Sequence, residues 1–311
     1  MSLLVLAEPY EGIEAIYDAG FWCWNHITEF TVKLLNPAST DGSAAFFTGG
    51  SIYNVASNFL SGFIDISTVI CMVFFLIGII KEVISTPIDQ SHNKLFFTVI
   101  KFGVILAVLN NLVTIMGNIM NICSAFTTYM LGSTTTISEL SISDMEGFTD
   151  VLEANLASPA LDGWDFGAFF ADVFGRFLVN IIVAFFGSIF SFLACIGCAF
   201  VILFVTYKIL FKPLLILPFA SISIAMGSGS HETSQVMYSY LKTFIGCCLG
   251  TSIIVVAITL GNAAIGNVSI FTLDNQTGIG AIIAWSVSMS LSPLITAGLC
   301  KVSESLLSRF L

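Results

Sequence analysis

The sequence predicts an all-α, polytopic membrane protein with about five transmembrane helices, an amphipathic helix before them and a proline-containing elbow between the third and fourth. Three observations carry that prediction. Of the 311 residues, 56% are hydrophobic and only 10% charged, with a mean hydropathy of +0.96, whereas about a quarter of a soluble domain is charged. The apolar residues gather in windows longer than the ~18 that mark a span, at about 52–80, 95–131, 167–210, 243–264 and 279–300. Charge is also unevenly shared between the two sets of connecting segments.

The first seven residues, "MSLLVLA", lack a charged start and form too short an apolar block for a cleavable signal peptide, so the mature chain is expected to begin near residue 1. Residues 1–50 are expected to form an external N-terminal region. Within it, Ile13, Ile16, Tyr17, Gly20, Trp24, Ile27 and Leu34 recur at helical spacing, with Glu14, Asp18, Asn25 and Glu29 elsewhere on the wheel. This predicts an amphipathic helix. Its acidic polar face disfavours anionic lipid, so the apolar face suits an outer membrane boundary, the protein's own spans or a partner.

Residues 51–311 are expected to form the membrane domain. Its third apolar region, 167–210, is long enough for one extended helix or a tight hairpin of two spans. Charge decides for one helix, because Lys and Arg concentrate on the cytoplasmic side. With five spans, Lys81, Lys94, Lys208, Lys212, Lys242, Lys301 and Arg309 fall on one side, while the other carries 14 acidic residues against Lys33 alone. The N-terminus is therefore expected outside and the C-terminus in the cytoplasm. The 132–166 loop, with seven acids and no basic residue, becomes external. Ser143 and Glu146 have capping-box spacing for a short helix inside it.

Polar residues within the spans are the candidate functional groups. Asn111, Thr114, Asn118 and Asn121 recur at steps of three and four and so share one face of the second span. Amides are costly against lipid, so these either hydrogen-bond to neighbouring helices or face a wet interior space of an assembly. Asp65 has no charged neighbour in sequence, while Asp172 and Arg176 have i, i+4 ion-pair spacing. Lys101, at a span end, can snorkel. Gly246 and Gly250 form a G-x-x-x-G for close helix approach, within the chain or between subunits. The serines at 286, 288, 290 and 292 can satisfy carbonyls freed by Pro293.

No constellation resembles an active site or a cofactor or metal site. The histidines 26, 92 and 231 are far apart, and no phosphate-binding, metalloprotease or nucleophile-elbow motif occurs. Cys195 and Cys198 form a C-x-x-C in mid-span without further ligands, which favours packing. The chain is expected not to be an enzyme.

The remaining stretch is "FKPLLILPFASISIAMGSGSHETSQVMYSYLK", residues 211–242. Its apolar part, Pro213 to Met226, is 14 residues and would reach only ~21 Å as a helix against a ~30 Å hydrocarbon core. Pro213 is expected to end the third helix, Pro218 to prevent a regular continuation, and Gly227 and Gly229 to free the chain before the fourth. With Lys212 at its start, the segment reads as an elbow on the cytoplasmic face.

A long span, a proline-containing apolar elbow ("KPLLILPFASISIAMGSG"), a polar and basic helix start ("YSYLKTFIG") and an acidic outer loop before them resemble the TrbL-like polytopic inner-membrane subunit of conjugative type IV secretion systems. The resemblance extends over about 50–300 by topology. It implies a subunit of the bacterial inner membrane that oligomerises, as a ring, into a platform or conduit for DNA or protein transfer and pilus assembly. Other type IV secretion membrane subunits and a cytoplasmic ATPase would be its partners. The tail, "KVSESLLSRFL", is shorter than in members with long polar tails. The competing class is a small-solute channel or secondary transporter, against which stand the odd number of spans and the lack of an internal repeat or paired broken helices.

Overall fold

The computed structural model describes residues 9–36, 46–85, 88–133, 177–265 and 279–310, and all of their regular structure is helical. The helices are α1 (Pro9–Leu35), α2 (Ser51–Ser85), α3 (Ile88–Asn110), α4 (Leu112–Ser133), α5 (Leu178–Ile216), α6 (Ala220–Ala225), α7 (His231–Ile265) and α8 (Ile279–Phe310). Short 3-10 turns at Leu217–Phe219 and Met226–Ser228 flank α6. Asp172, Arg176, Ser143, Glu146 and residues 134–166 of the acidic loop lie outside the described residues.

Four helical runs, Ser51–Ile84, Leu178–Ser228, Glu232–Gly261 and Ile279–Ser303, are long and apolar enough to cross a membrane. Leu95–Asn110 and Leu112–Gly132 make a fifth if that bent pair counts as one span. The chain is a multi-pass, all-α membrane protein, as its composition predicts. From Leu178 onward the third apolar region is one helix, not a hairpin.

The chain divides into two compact units. The first holds the described parts of Met1–Thr31, Thr134–Val205 and Val256–Val302. Here α1 turns Ile13, Tyr17, Phe21 and Trp24 inward, all at most 3% exposed, so its apolar face is covered by the protein's own helices. The Tyr17 hydroxyl lies 2.7 Å from Ser286 Oγ of α8, joining the polar end of an otherwise apolar ring to a buried partner. Glycines let the backbones close up. A Cβ on Gly20 would stand 3.3 Å from the Phe192 Cα of α5, and one on Gly187 would collide with Ser286 Oγ.

The second unit holds the described parts of Val32–Ser133, Thr206–Val255 and Ser303–Leu311. Its core packs Leu60 and Cys71 of α2, Leu109, Leu112 and Met116 of α3 and α4, Leu217 of the 3-10 turn, Ala220 of α6, and Phe244 of α7. Two expectations are corrected here. The second span is not one straight helix, because α3 and α4 meet at Asn111 with a bend of 71°. Asn111 itself supplies the junction. Its N–H reaches the Val108 carbonyl at 3.2 Å, its carbonyl accepts from the Ile115 N–H at 3.0 Å, and its carboxamide donates to the Ala107 carbonyl at 3.0 Å. A short amide side chain that satisfies backbone groups left over at a helix end is what makes the break tolerable in an apolar stretch.

The second correction concerns the elbow. Pro213 does not end the third helix, since α5 continues through it to Ile216. The change comes at Pro218, which falls in the first turn of the 3-10 segment, where a missing N–H costs least. The N–H of Ala220 turns back to the Leu217 carbonyl, and the Ile216 carbonyl is instead taken by the Tyr240 hydroxyl of α7 at 3.1 Å. The segment then runs beside α2 in the same direction, with Phe219 stacked on Phe63 and the Ser228 hydroxyl 2.9 Å from the Cys71 carbonyl. Gly229 ends it against Gly78, on which a Cβ would lie 3.5 Å from the Gly229 Cα. The elbow therefore lies along the span rather than beyond its end.

Gly227 and Gly229 serve close packing rather than chain freedom. A Cβ on Gly227 would approach Met237 Sδ to 2.6 Å and one on Gly229 would approach Thr233 Oγ1 to 2.6 Å. The same geometry separates basic residues that the charge argument grouped. Phe211 and Tyr207 pack on Phe46 at the start of α2, with ring centroids 5.0 and 6.1 Å away, so Lys208 and Lys212 belong to that end. Lys81 belongs to the other. The physical reason is that the helical run goes on to Ser228 through the end of α5, the two 3-10 turns and α6, which carries the chain ~30 Å beyond Lys208 at about 1.5 Å per residue.

Candidate functional site: a polar face on α2 and α4

Tyr53 of α2 and Gly117 of α4 face each other, since a Cβ on Gly117 would lie 2.9 Å from the Tyr53 hydroxyl. One turn further along α4, the Thr48 hydroxyl donates to Asn121 Oδ1. The partners on the α2 side fall from Glu82 at Thr98 and Phe75 at Phe102 to Tyr53 and Thr48 at Gly117 and Thr48 at Asn121, so α3 and α4 run back along α2, antiparallel to it. Their buried sides are Tyr53, Ala56 and Leu60 on α2 and Met116, Met120 and Cys123 on α4.

Asn111, Thr114, Asn118 and Asn121 are all exposed. Among the described residues, Asn121 meets the Thr48 hydroxyl ahead of α2 and the Asn111 carboxamide turns back to its own helix at the Ala107 carbonyl. Asp65 is exposed too, and it completes a second series that the sequence reading did not single out: Asn54, Asn58, Ser61 and Asp65, at steps of four, three and four, every one exposed. The signal was the same helical spacing. It was hidden because Asp65 draws attention as a lone carboxylate and asparagines near the start of a span look like ordinary boundary residues.

At 3.6 residues per turn, the α2 series and the helical members of the α4 series lie about 40–140° past the facing positions 53 and 117. Because the helices are antiparallel, the same angular sense on each brings both series to one side of the pair. The result is a surface of amides and hydroxyls with one carboxylate, Asp65. It is set among exposed apolar side chains such as Phe59 and Ile66 of α2 and Ile122 of α4. Hydrocarbon cannot satisfy these groups, so the face requires water or a polar partner.

The other singled-out residues play inward roles. Gly246 and Gly250 are buried in the second unit, which places the G-x-x-x-G in packing within the chain. Near it, Thr127 Oγ1 of α4 stands 3.0 Å from Thr251 Oγ1 and 2.8 Å from Ser252 Oγ of α7, a hydroxyl cluster that joins the helices. Among the described residues, no three His, Cys, Asp or Glu side chains come together closely enough to hold a metal ion. Lys101 does not snorkel. Its ammonium donates to the Gly229 carbonyl and to Ser234 Oγ, both at 2.7 Å, and fastens α3 to the first turn of α7 and the turn before it. Compared with protein-family models, curated proteins and solved structures, the chain matches none.

Proposed function

We propose that the chain is a non-enzymatic, oligomeric platform or conduit subunit of a conjugative type IV secretion machine in a bacterial inner membrane. The observation that carries this reading is the polar face of α2 and α4. Among the described residues, a single copy leaves seven exposed polar residues on one side of α2 and α4, from Asn54 to Asp65 and from Thr114 to Asn121, and a ring of copies would gather those faces around a shared wet space. Other membrane subunits of the machine, a cytoplasmic ATPase and DNA or protein cargo are the partners this role requires. In this reading the end of α2 near the Gly229 turn, where Lys81 and Lys101 gather, is the cytoplasmic one by the positive-inside tendency, with Lys208 and Lys212 as the lysines at the opposite end that run against it. The N-terminus is then outside.

One observation favours the alternative of a small-solute channel or secondary transporter. The 71° break at Asn111 is a discontinuous helix of the kind transporters use to expose backbone groups to substrate. The two readings part on stoichiometry and access. The conduit predicts a closed oligomer by native mass spectrometry in lipid nanodiscs. It also predicts that a single cysteine at Asn118, but not at Ile66, reacts with a membrane-impermeant thiol reagent in the assembled machine. A monomer whose Asn118 position is unreactive refutes it.

A further inference from the structure

Where α2, α3 and the start of α7 meet, a cleft of about 620 Å³ opens, lined by Lys81, Glu82, Thr98, Lys101, Glu232 and Tyr238. Its size falls within the ~300–1,000 Å³ typical of small-ligand sites. Two cations and two carboxylates surround one space, and each retains capacity for a ligand. Lys101 uses two of its donors on the Gly229 carbonyl and Ser234 Oγ, and an ammonium has three. Glu82 accepts from Thr98 through Oε2 at 2.6 Å, which leaves Oε1. Lys81 and Glu232 pair at 3.3 Å with side chains 53% and 80% exposed, so exchange of that bond for a ligand's groups costs little.

A purely anionic ligand would leave the glutamates uncompensated, and a purely cationic one the lysines. The complement is a phosphate joined to a primary ammonium. Apolar surface begins at the rim, because Phe97 lines the cleft and is 69% exposed, and Ile80, Ile84 and Phe96 are exposed close by in sequence. A polar pocket between membrane helices that opens onto apolar surface suits a lipid headgroup. We infer that this cleft holds an ethanolamine-type phospholipid, with its phosphate on Lys81 and Lys101, its ammonium between Glu82 and Glu232, and its acyl chains along the exposed residues of α2 and α3. The inference rests on the multi-pass membrane fold and is independent of the secretion role.

The test uses the full-length protein, delipidated in detergent and titrated with phosphatidylethanolamine, phosphatidylcholine and phosphatidylglycerol of matched acyl chains, with bound lipid read by native mass spectrometry. A trimethylammonium cannot donate hydrogen bonds to the carboxylates and glycerol brings no cation. Ethanolamine lipid should therefore bind at least about tenfold more tightly than either, the equivalent of one charge-assisted hydrogen bond. Glu82→Gln should erase the preference over choline. Glu232→Gln, at an exposed position, should reduce it and provides the readout if Glu82→Gln does not fold. Equal retention of all three lipids by the unaltered protein, or an unchanged preference in the variants, overturns the assignment. Binding of glycerophosphoethanolamine as tightly as the lipid overturns it as well, by assigning the cleft to a soluble ligand.

Discussion

Placing a carboxylate at Asn118 and at Ile66 separates a wet surface from a lipid-facing one. Both positions are exposed within a single copy, Ile66 at 53%, so neither substitution removes a core contact, and the difference between them reports only what lies outside the chain. On insertion scales, Asp near the centre of a span in lipid costs about 2.5–3.5 kcal/mol. At 1.4 kcal/mol per factor of ten, that corresponds to roughly a 60- to 300-fold loss in the ratio of inserted to uninserted protein. Ile66→Asp should show a loss of that order. Asn118→Asp should show almost none, because an amide already faces the same medium and water can hydrate the new charge. The assay is the fraction of each variant recovered in carbonate-washed membranes, alongside DNA transfer frequency. Equal loss of inserted protein for the two variants would refute the argument that the polar face is wet. Stable Asn118→Asp with altered transfer would tie that face to the conduit.

Three further outcomes test the packing. Lys101→Met removes two short hydrogen bonds and leaves the Gly229 carbonyl and Ser234 hydroxyl without that donor. It should lower stability by about 2–4 kcal/mol in thermal unfolding of the detergent-solubilised protein, whereas a snorkelling lysine would tolerate the change. Gly187→Ala should cost about 1–3 kcal/mol through its collision with Ser286 Oγ, and Ser286→Gly in the same chain should restore part of it in a double-mutant cycle. Pro213→Ala should leave melting temperature at or above that of the unaltered protein, because α5 already passes through this position as a helix; a large loss would show that the proline itself shapes the elbow.

Composition and hydropathy were enough for the fold class, because a bilayer allows so few ways to satisfy backbone polar groups that long apolar runs must be helices. The amphipathic start of α1 and the shared face of Thr114, Asn118 and Asn121 were legible for a related reason: both depend on helical periodicity, which is a property of sequence spacing. The series from Asn54 to Asp65 was equally periodic, and the sequence held its signal.

What the spacing could not supply was anything that depends on two segments meeting. Asn111 reads as one more member of a stripe, but its carboxamide satisfies the Ala107 carbonyl at a 71° break. A proline inside a helix and a proline at its end look alike in sequence, and only the bond from Tyr240 to the Ile216 carbonyl shows where α5 stops. Lys101 resembles any lysine near a span end until the Gly229 turn arrives beside it. Local propensity and burial pattern act along the chain and can be read there. The position of a break, the partner of a buried cation and the side on which two polar series coincide are set by contacts between residues far apart in sequence, which only the tertiary structure decides.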